Sequence, residues 1–217
     1  MSKKIYHTVI FDLDGTLLDT LDDLYASVNA SLRKNGFPER TRKEVRSFLG
    51  NGLLRLIELS VPEGTDVEKT EQVCADFREH YLKHCEDRTR PFDGMMEVLE
   101  KLQEKGIRMA IVSNKPDAAV KELANKYFAE VLTTAIGERK GVKRKPEPDS
   151  VLEAMRILGA EKESTLYVGD SEVDRETAKN AGVPCVLVTW GFREEELLRS
   201  LEPEFLIHEP GKILEIV

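Results

Sequence analysis

The sequence has few cysteines, no long apolar run and no excess of basic residues. Its three cysteines, Cys74, Cys85 and Cys185, are an odd number without metal-binding spacing. They form no disulfide framework and favour a reducing cytosol as the location. No stretch approaches the length of a membrane span, and the apolar run that follows Lys3 and Lys4 is too short for a signal peptide. These absences predict a cytoplasmic protein without a membrane partner.

The chain carries more acidic than basic residues, which disfavours binding to polyanions. The chain has 32 lysines and arginines against 40 aspartates and glutamates, which gives a formal net charge of −8. Such a chain is not expected to bind nucleic acid or anionic membranes as its main role. Its 217 residues are enough for one large domain or two unequal ones. An anionic substrate would need a locally basic pocket.

One stretch near the N-terminus organises the rest of the chain. The apolar residues 9–11 have the composition of a buried strand and lead into Asp12 and Asp14. Gly15 then permits a sharp turn. Two carboxylates this close repel unless a cation lies between them or one keeps its proton. The pair therefore predicts a metal site or an acid/base pair; the alternative is a strand that ends in a solvated Asp-Gly turn.

The remaining pattern predicts an α/β fold interrupted by helices. Residues 19–86 show helical spacing throughout, with Thr41 and Glu44 in the form of a capping box. On either side of this segment, strands alternate with helices. Beyond the first strand, core strands are expected at 107–112, 130–133, 165–168 and 185–189. We predict a Rossmann-like, doubly wound parallel sheet built from residues 1–18 and 87–217, with a helical insertion, 19–86, after the first strand.

The predicted strand ends carry further polar residues. Ser113, Lys145, Asp170 and Asp174 each lie just past a predicted strand or in the loop that follows one. Parallel sheets of this kind bind ligands at the carboxyl ends of their strands. These four residues are therefore expected to meet the first carboxylate pair in a single site.

The motif Asp12-Leu13-Asp14-Gly15-Thr16-Leu17 resembles the first signature of the haloacid dehalogenase superfamily of phosphohydrolases. The other strand-end residues follow in the order of that family, so the resemblance covers nearly the whole chain. It implies that the helical insertion is a mobile cap and that the reaction is hydrolysis of a phosphate monoester. It also implies that Asp12 is the nucleophile, forming an aspartyl-phosphate, and that Asp14 is the acid and base.

The resemblance also implies a Mg²⁺ site. The side chains of Asp12 and Asp170, with the backbone carbonyl of Asp14, would hold the ion. Asp174 belongs to the same acidic group and is expected to orient metal-bound water or Lys145; the alternative is that it complements the dipole of its helix. Lys145 would offset the charge of the phosphate and of the crowded carboxylates.

Four residues of the core are predicted to bind the phosphate. Ser113 can donate a hydrogen bond to a phosphoryl oxygen, and the backbone N–H groups of Asn114 and of the turn at Gly15 and Thr16 can donate others. A Ser-Asn pair at the end of a strand is equally typical of a helix N-cap, so both interpretations stay open for Ser113 and Asn114.

The segment 49–57 resembles the cap of phosphoglycolate phosphatases. A helix that starts near Asn51 and Gly52, with Arg55 close by, would receive the carboxylate of a small acidic substrate. The alternative is a plain turn between helices with Arg55 in solvent. The predicted substrate is a small phosphate ester, 2-phosphoglycolate, and the predicted assembly is a monomer or homodimer.

Other functions remain open at this point. An inorganic pyrophosphatase, or a sugar phosphatase or phosphomutase of the same superfamily, would use the same core. A catalytically inactive phosphate-binding module would retain the fold without turnover. His80 and His84, one helical turn apart and next to Cys85, have the spacing of zinc ligands, although a solvated helix end is the favoured explanation.

Overall fold

The computed structural model describes residues 5–217. Lys3 and Lys4, used above in the signal-peptide argument, lie outside the described residues. The chain divides into two compact units, which we call the core unit, Met1–Leu18 with Pro91–Val217, and the helical unit, Asp19–Arg90. Within residues 5–217, no helix combines the length and the apolar character needed to cross a membrane.

A six-stranded parallel sheet forms the centre of the core unit. The strands of the chain are β1 (Thr8–Phe11), β2 (Leu18–Asp19), β3 (Arg90–Pro91), β4 (Arg108–Pro116), β5 (Thr134–Glu138), β6 (Thr165–Gly169), β7 (Cys185–Val188) and β8 (Phe205–Ile207). The large sheet has the order β5-β4-β1-β6-β7-β8, and β2 and β3 form a separate two-stranded sheet. All the pairings in the large sheet are parallel. The strand order reverses at β1, which confirms the predicted doubly wound, Rossmann-like core.

Helices account for most of the remaining chain. The helical unit contains α1 (Leu21–Lys34), α2 (Arg42–Phe48), α3 (Gly52–Ser60) and α4 (Val67–His84). The core unit contains α5 (Met95–Glu104), α6 (Asp117–Phe128), α7 (Asp149–Leu158), α8 (Glu172–Ala181), α9 (Glu195–Ser200) and α10 (Ile213–Ile216).

The strands of the core unit are apolar on both faces because helices cover both. In β1, Val9 and Phe11 join an apolar cluster with α5, α6 and α10, whereas Ile10 joins a second cluster with α7, α8 and α9. This alternation is the two-residue period of a strand. It explains why the strands have nearly continuous apolar runs.

Hydrogen bonds begin one helix of the helical unit and connect the two ends of the unit. Thr41 and Glu44 form the predicted capping box at the start of α2. At the other end of the unit, the carboxylate of Asp23 accepts the backbone N–H groups of Arg88 and Thr89. These contacts tie the residues after α4 to α1, so the helical unit ends at Arg90 rather than at residue 86.

The predicted strand at 130–133 is wrong. The N–H groups of Val131 and Leu132 both donate to the Phe128 carbonyl, at 3.0 and 2.8 Å, and turn the chain at the end of α6. Their apolar side chains pack on the core without being in a strand. The strand β5 begins after them, at Thr134.

The N-cap interpretation of Ser113 and Asn114 is also wrong. The strand β4 continues through both residues to Pro116, and α6 begins only at Asp117. Ser113 and Asn114 are thus strand residues at the carboxyl end of β4, next to β1.

Candidate active site

The turn after β1 places a buried carboxylate at the carboxyl end of the central strand. Asp12 follows β1 directly, and its N–H donates to the Val168 carbonyl of β6 at 2.8 Å. Only 7% of Asp12 is exposed. The chain then turns because Gly15 adopts φ +85°, which residues with side chains rarely do. Asp12 and Asp14 therefore lie at the sheet edge where ligands bind in such folds.

A buried lysine joins two carboxylates. The Nζ of Lys145 lies 2.7 Å from Asp12 Oδ1 and 2.8 Å from Asp174 Oδ1, and it also donates to the Tyr167 hydroxyl at 3.1 Å. These three partners match the three N–H groups of an ammonium. Because the Lys145 side chain is only 4% exposed, they also offset the cost of burying its charge. Lys145 holds Asp12 and Asp174 in one arrangement.

Both oxygens of Asp174 are occupied by protein donors. Its Oδ1 accepts from Lys145 and, at 3.0 Å, from the Tyr167 hydroxyl. Its Oδ2 accepts the N–H groups of Asp170 and Ser171 and the Ser171 hydroxyl, as part of the capping box that starts α8. These contacts favour a role in orienting Lys145 over direct coordination of a metal. Asp174 also lies in the first turn of α8, as its alternative role of complementing the helix dipole requires.

Asp170 is held on one side by the backbone. The Phe192 N–H donates to Asp170 Oδ2 at 2.6 Å. The side chain lies against Gly15, where an added Cβ would come within 2.5 Å of the same oxygen. Glycine at position 15 is therefore required both by its positive φ and by the closeness of Asp170.

The acidic cluster fits a hard divalent cation. Asp12, Asp170 and Asp174 each offer an oxygen within 4.8 Å of the others, the only such group of three ligating side chains in residues 5–217. Asp12 Oδ2 and Asp170 Oδ1 accept no hydrogen bond from the described residues. Carboxylate oxygens without a protein partner suit Mg²⁺. Asp12 and Asp170 therefore match the predicted metal ligands better than Asp174 does.

Burial and crowding shift the pKa values of these groups in different directions. Burial raises the pKa of Asp12 to about 7, with the charge of Lys145 opposing it and that of Asp174 adding to it. Burial also raises the pKa of Asp170 well above its usual range. For Asp174, burial would raise the pKa, but Lys145 and the hydrogen bonds lower it. For Lys145, burial would lower the pKa, but the charges of Asp12 and Asp174 raise it well above its usual range.

Ser113 and Asn114 have different surroundings at the end of β4. Both are buried, and the Ser113 hydroxyl accepts the Lys115 N–H at 3.2 Å. The amide side chain of Asn114 donates to the Lys145 carbonyl at 3.0 Å and accepts the Lys145 N–H at 2.8 Å. The Asn114 side chain thus fixes the backbone of Lys145. The predicted substrate contact concerned the backbone N–H of Asn114, not this side chain.

A second lysine lies beside the predicted acid and base. The Nζ of Lys115 is 2.7 Å from Asp14 Oδ1, and the Lys115 side chain is only 4% exposed. Asp14 is the more accessible partner, with 20% of its side chain exposed. The sequence predicted one lysine at this site, Lys145, whereas the structure contains two, Lys145 and Lys115.

Thr16, predicted to bind substrate, has a buried hydroxyl. Its Oγ1 has no hydrogen-bond partner among the described residues, while its carbonyl accepts the indole N–H of Trp190 at 3.1 Å. The turn is therefore connected to the segment that follows β7.

The three predicted carboxylate-binding residues lie in the helical unit. Asn51 and Gly52 form the start of α3, and the Asn51 side chain makes no capping hydrogen bond. Arg55 is half exposed and pairs with Glu58 of the same helix at 3.0 Å. Substrate binding by Asn51, Gly52 and Arg55 stays a prediction.

The predicted histidine pair does not form a metal cluster in the described part of the chain. The rings of His80 and His84 are 4.4 Å apart, but each Nδ1 has another partner, Ser27 for His80 and Asp87 for His84. No third ligating side chain joins them among residues 5–217.

Sequence reasoning missed Lys115, Tyr167 and the Phe192 N–H. Lys115 follows Ser113 and Asn114 directly, so its polar character at a strand end was a usable signal. Tyr167 lies between apolar neighbours in β6 and is typical of a core residue. A backbone N–H such as that of Phe192 has no side-chain signal at all.

Known proteins resemble this chain over most of its length. The model of the haloacid dehalogenase-like hydrolase family matches residues 9–188. A protein of Aquifex aeolicus (strain VF5) named phosphoglycolate phosphatase is 31% identical over 210 residues, covering 96% of this chain and 95% of the relative. A Rhodobacter capsulatus protein of the same name is 36% identical over 193 residues, covering 87% of each.

Solved structures share the fold over nearly the whole chain. A crystal structure from Lactobacillus delbrueckii subsp. bulgaricus ATCC BAA-365 has a TM-score of 0.93 and 31% identity, covering 97% of this chain and 98% of the other. A haloacid dehalogenase-like family protein of Streptococcus pneumoniae has a TM-score of 0.87 at 21% identity, covering 97% of each, and shows the fold alone.

Proposed function

Since this chain belongs to the haloacid dehalogenase-like hydrolase family and is a phosphomonoester hydrolase, we propose that it is a Mg²⁺-dependent phosphatase that hydrolyses 2-phosphoglycolate. The reaction passes through an aspartyl-phosphate on Asp12. A cytoplasmic location is part of the same proposal.

The observation that carries the proposal is the arrangement of Asp12 and Lys145. Lys145 contacts one oxygen of Asp12 and keeps the carboxylate in one orientation at the carboxyl end of β1. A nucleophile held in this way loses little entropy on approaching the phosphorus atom. The Lys145 charge, beside Asp12, would offset the negative charge that gathers on the phosphoryl oxygens.

Two carboxylates allow the reaction to run in two balanced steps. An oxygen of Asp12 bonds to phosphorus while the ester oxygen leaves, and Asp14, which is protonated at the start of the cycle, gives its proton to that oxygen. Water then attacks the aspartyl-phosphate and gives a proton to Asp14, which releases phosphate and restores Asp12. Ser113 and the backbone N–H group of Asn114 would bind the phosphoryl oxygens. The N–H groups of Gly15 and Thr16, predicted to take part, donate instead to the Leu18 and Leu13 carbonyls within the turn.

The Asp12 and Asp170 oxygens that lack protein partners would hold Mg²⁺, together with the Asp14 carbonyl. When bound, the ion supplies positive charge beside the phosphate and offsets the repulsion within the acidic cluster. Asp174 acts through Lys145, since its own oxygens are occupied.

The choice of substrate rests on the relatives and on the helical unit. The two relatives named phosphoglycolate phosphatase are 31% and 36% identical to this chain. The segment 49–57 resembles the cap of such enzymes, and Asn51, Gly52 and Arg55 would receive the carboxylate of the substrate. The helical unit, Asp19–Arg90, would act as the cap.

Phosphate release from a substrate panel tests the proposal. The panel holds 2-phosphoglycolate, small sugar phosphates, nucleotides, pyrophosphate and p-nitrophenyl phosphate, each with and without Mg²⁺. We expect the highest kcat/KM for 2-phosphoglycolate and no turnover without a divalent cation. Asp12→Asn should remove turnover and keep the fold, whereas the same change at the exposed Asp93 should not alter activity.

The panel also separates the competing substrates. A preference for pyrophosphate or sugar phosphates would keep the catalytic core and reject the proposed substrate. Substantial activity in Asp12→Asn would reject Asp12 as the nucleophile. Absence of turnover on every compound would contradict the proposal and favour a phosphate-binding module.

A further inference from the structure

The segment after β7, residues 190–193, encloses Asp170 on the side away from its free oxygen. We propose that this segment, held by the Arg193–Glu172 ion pair, positions Asp170 for cation binding, an inference that rests on the proposed Mg²⁺ site. Arg193 and Glu172 are positioning residues, because they act through Asp170 and reach no reacting atom.

The first contact is a backbone hydrogen bond. The Phe192 N–H lies 2.6 Å from Asp170 Oδ2 and occupies that oxygen. A carboxylate held at one oxygen can rotate only by breaking this bond. The other oxygen, Oδ1, is then presented in a single orientation to the acidic cluster, where Asp12 offers its own free oxygen.

The second contact is steric. A Cβ added to Gly191 would lie 2.3 Å from the Asp170 Cβ and 2.5 Å from the Gly15 carbonyl oxygen. The backbone at Gly191 therefore packs against Asp170 more closely than any other residue type allows. A displacement of the segment would release Asp170, because the two are in direct contact.

The third contact closes a ring. Arg193 Nε lies 2.6 Å from Glu172 Oε2, and Arg193 Nη2 lies 2.8 Å from Glu172 Oε1. Glu172 is the first residue of α8, two positions after Asp170. The chain from Asp170 to Glu172, the ion pair, and the Phe192 N–H therefore form a closed circuit around the Asp170 carboxylate.

The ion pair has the properties expected of a rigid link. Its two parallel N–H to oxygen contacts fix both distance and angle, which a lysine cannot do. The Arg193 side chain is 9% exposed and that of Glu172 is 39% exposed, so solvent screens the Arg193 end of the pair less than it screens a fully exposed pair. At the other end of the segment, the Trp190 indole N–H donates to the Thr16 carbonyl at 3.1 Å. The segment is thus tied at both ends.

Mg²⁺ binding measured directly tests the proposal. Isothermal titration calorimetry with Mg²⁺, without substrate, would give the Kd for Mg²⁺ of the wild-type protein, of Arg193→Met and of Glu172→Gln. Trp190, the single tryptophan of the chain, supplies an independent fluorescence signal from the segment itself. We expect Arg193→Met to raise the Kd for Mg²⁺ by about tenfold to a hundredfold, the range typical of residues that orient metal ligands.

Two further variants keep the test decisive. Arg193→Lys retains the charge but loses the paired contacts. We expect its Kd for Mg²⁺ to lie between those of the wild type and Arg193→Met. If Arg193→Met fails to fold, Arg193→Lys replaces it in the test. Arg199→Met removes an exposed Arg–Glu pair of α9 as the matched control and should leave the Kd unchanged. Kinetics should show a higher Mg²⁺ requirement with kcat nearly restored at saturating Mg²⁺.

The possible outcomes separate this inference from the proposed function. A folded Arg193→Met protein with the wild-type Kd for Mg²⁺ would overturn the inference and leave the phosphatase proposal intact. Mg²⁺ binding that weakens as expected, in a protein with no phosphatase activity, would support the inference and reject the proposed function. A wild-type protein that binds no Mg²⁺ would overturn both the inference and the Mg²⁺ dependence.

Discussion

The ammonium of Lys115 lies 2.7 Å from the carboxylate of Asp14, and both side chains are largely shielded from solvent. Lys115 comes from the end of β4 and Asp14 from the turn after β1, so the contact joins neighbouring strand ends. Such a pair holds the Asp14 carboxylate in one place. If Asp14 is the acid and base, Lys115 controls where its proton is delivered.

Lys115→Met should reduce the turnover of substrates that need a proton on the leaving group. We expect kcat/KM for an alkyl phosphate to fall by about a hundredfold, at the lower end of what general acid catalysis contributes. The fall for p-nitrophenyl phosphate should be much smaller, because its leaving group departs without a proton. Steady-state kinetics on both substrates would measure the difference.

Two matched variants accompany this measurement. Lys115→Arg keeps a cation beside Asp14 and should recover part of the lost activity. Lys121→Met removes the exposed partner of Asp117 and should have little effect on either substrate. Equal losses on both substrates in Lys115→Met would show that Lys115 does not act through Asp14.

Gly15→Ala should damage the site, whereas Gly94→Ala should cost only stability. Both glycines have a positive φ, +85° and +79°, which costs a residue with a side chain about 1–2 kcal/mol. At Gly94 an added Cβ meets nothing within 4 Å, but at Gly15 it lies 2.5 Å from Asp170 Oδ2. Urea unfolding should show a loss of stability in both variants, with the larger loss in Gly15→Ala. Steady-state kinetics should show a lower kcat/KM in Gly15→Ala alone. Wild-type activity in that variant would mean that Asp170 can move without consequence.

The stability of the protein should depend on pH through His80. Burial, with the charges of His84 and Arg33, lowers the pKa of His80 in the folded protein. The unfolded chain therefore binds more protons than the folded protein between the lowered pKa and the usual value of about 6.5. The contribution of His80 to the free energy of unfolding is complete above the usual pKa. It is lost as the pH falls from the usual pKa through the lowered pKa of the folded protein.

Urea unfolding at pH 7.5 and pH 5.5 measures this effect. His80→Asn should lose less stability between the two pH values than the wild type does. His7→Asn changes an exposed histidine of the core unit and should behave as the wild type. The same pH dependence in His80→Asn and the wild type would assign the loss to other groups.

Local patterns predicted most of the fold because they reflect short-range physics. The period of apolar residues and the capping box at Thr41 and Glu44 depend on neighbours a few positions away, and the predicted helical segment contains α1 to α4. The strand misplaced at 130–133 shows the limit of this reasoning. Val131 and Leu132 are apolar because they pack on the core from a turn, and composition alone does not separate a turn from a strand there.

The sequence by itself determined which residue types stand at the carboxyl ends of the parallel strands. A strand that ends in Asp12 and Asp14, followed along the chain by Ser113, Lys145 and Asp170, implies one polar site, because parallel strands place their carboxyl ends at one edge of the sheet. That inference needs only chain order and strand direction.

Only the tertiary structure decided which of these groups contact one another. It placed Lys145 between Asp12 and Asp174, Lys115 on Asp14, and the Phe192 N–H on Asp170. These pairings depend on side-chain rotamers and on backbone groups of residues far apart in the chain. No local pattern records them, because a hydrogen bond requires its atoms within about 3 Å and sequence spacing does not specify such a distance.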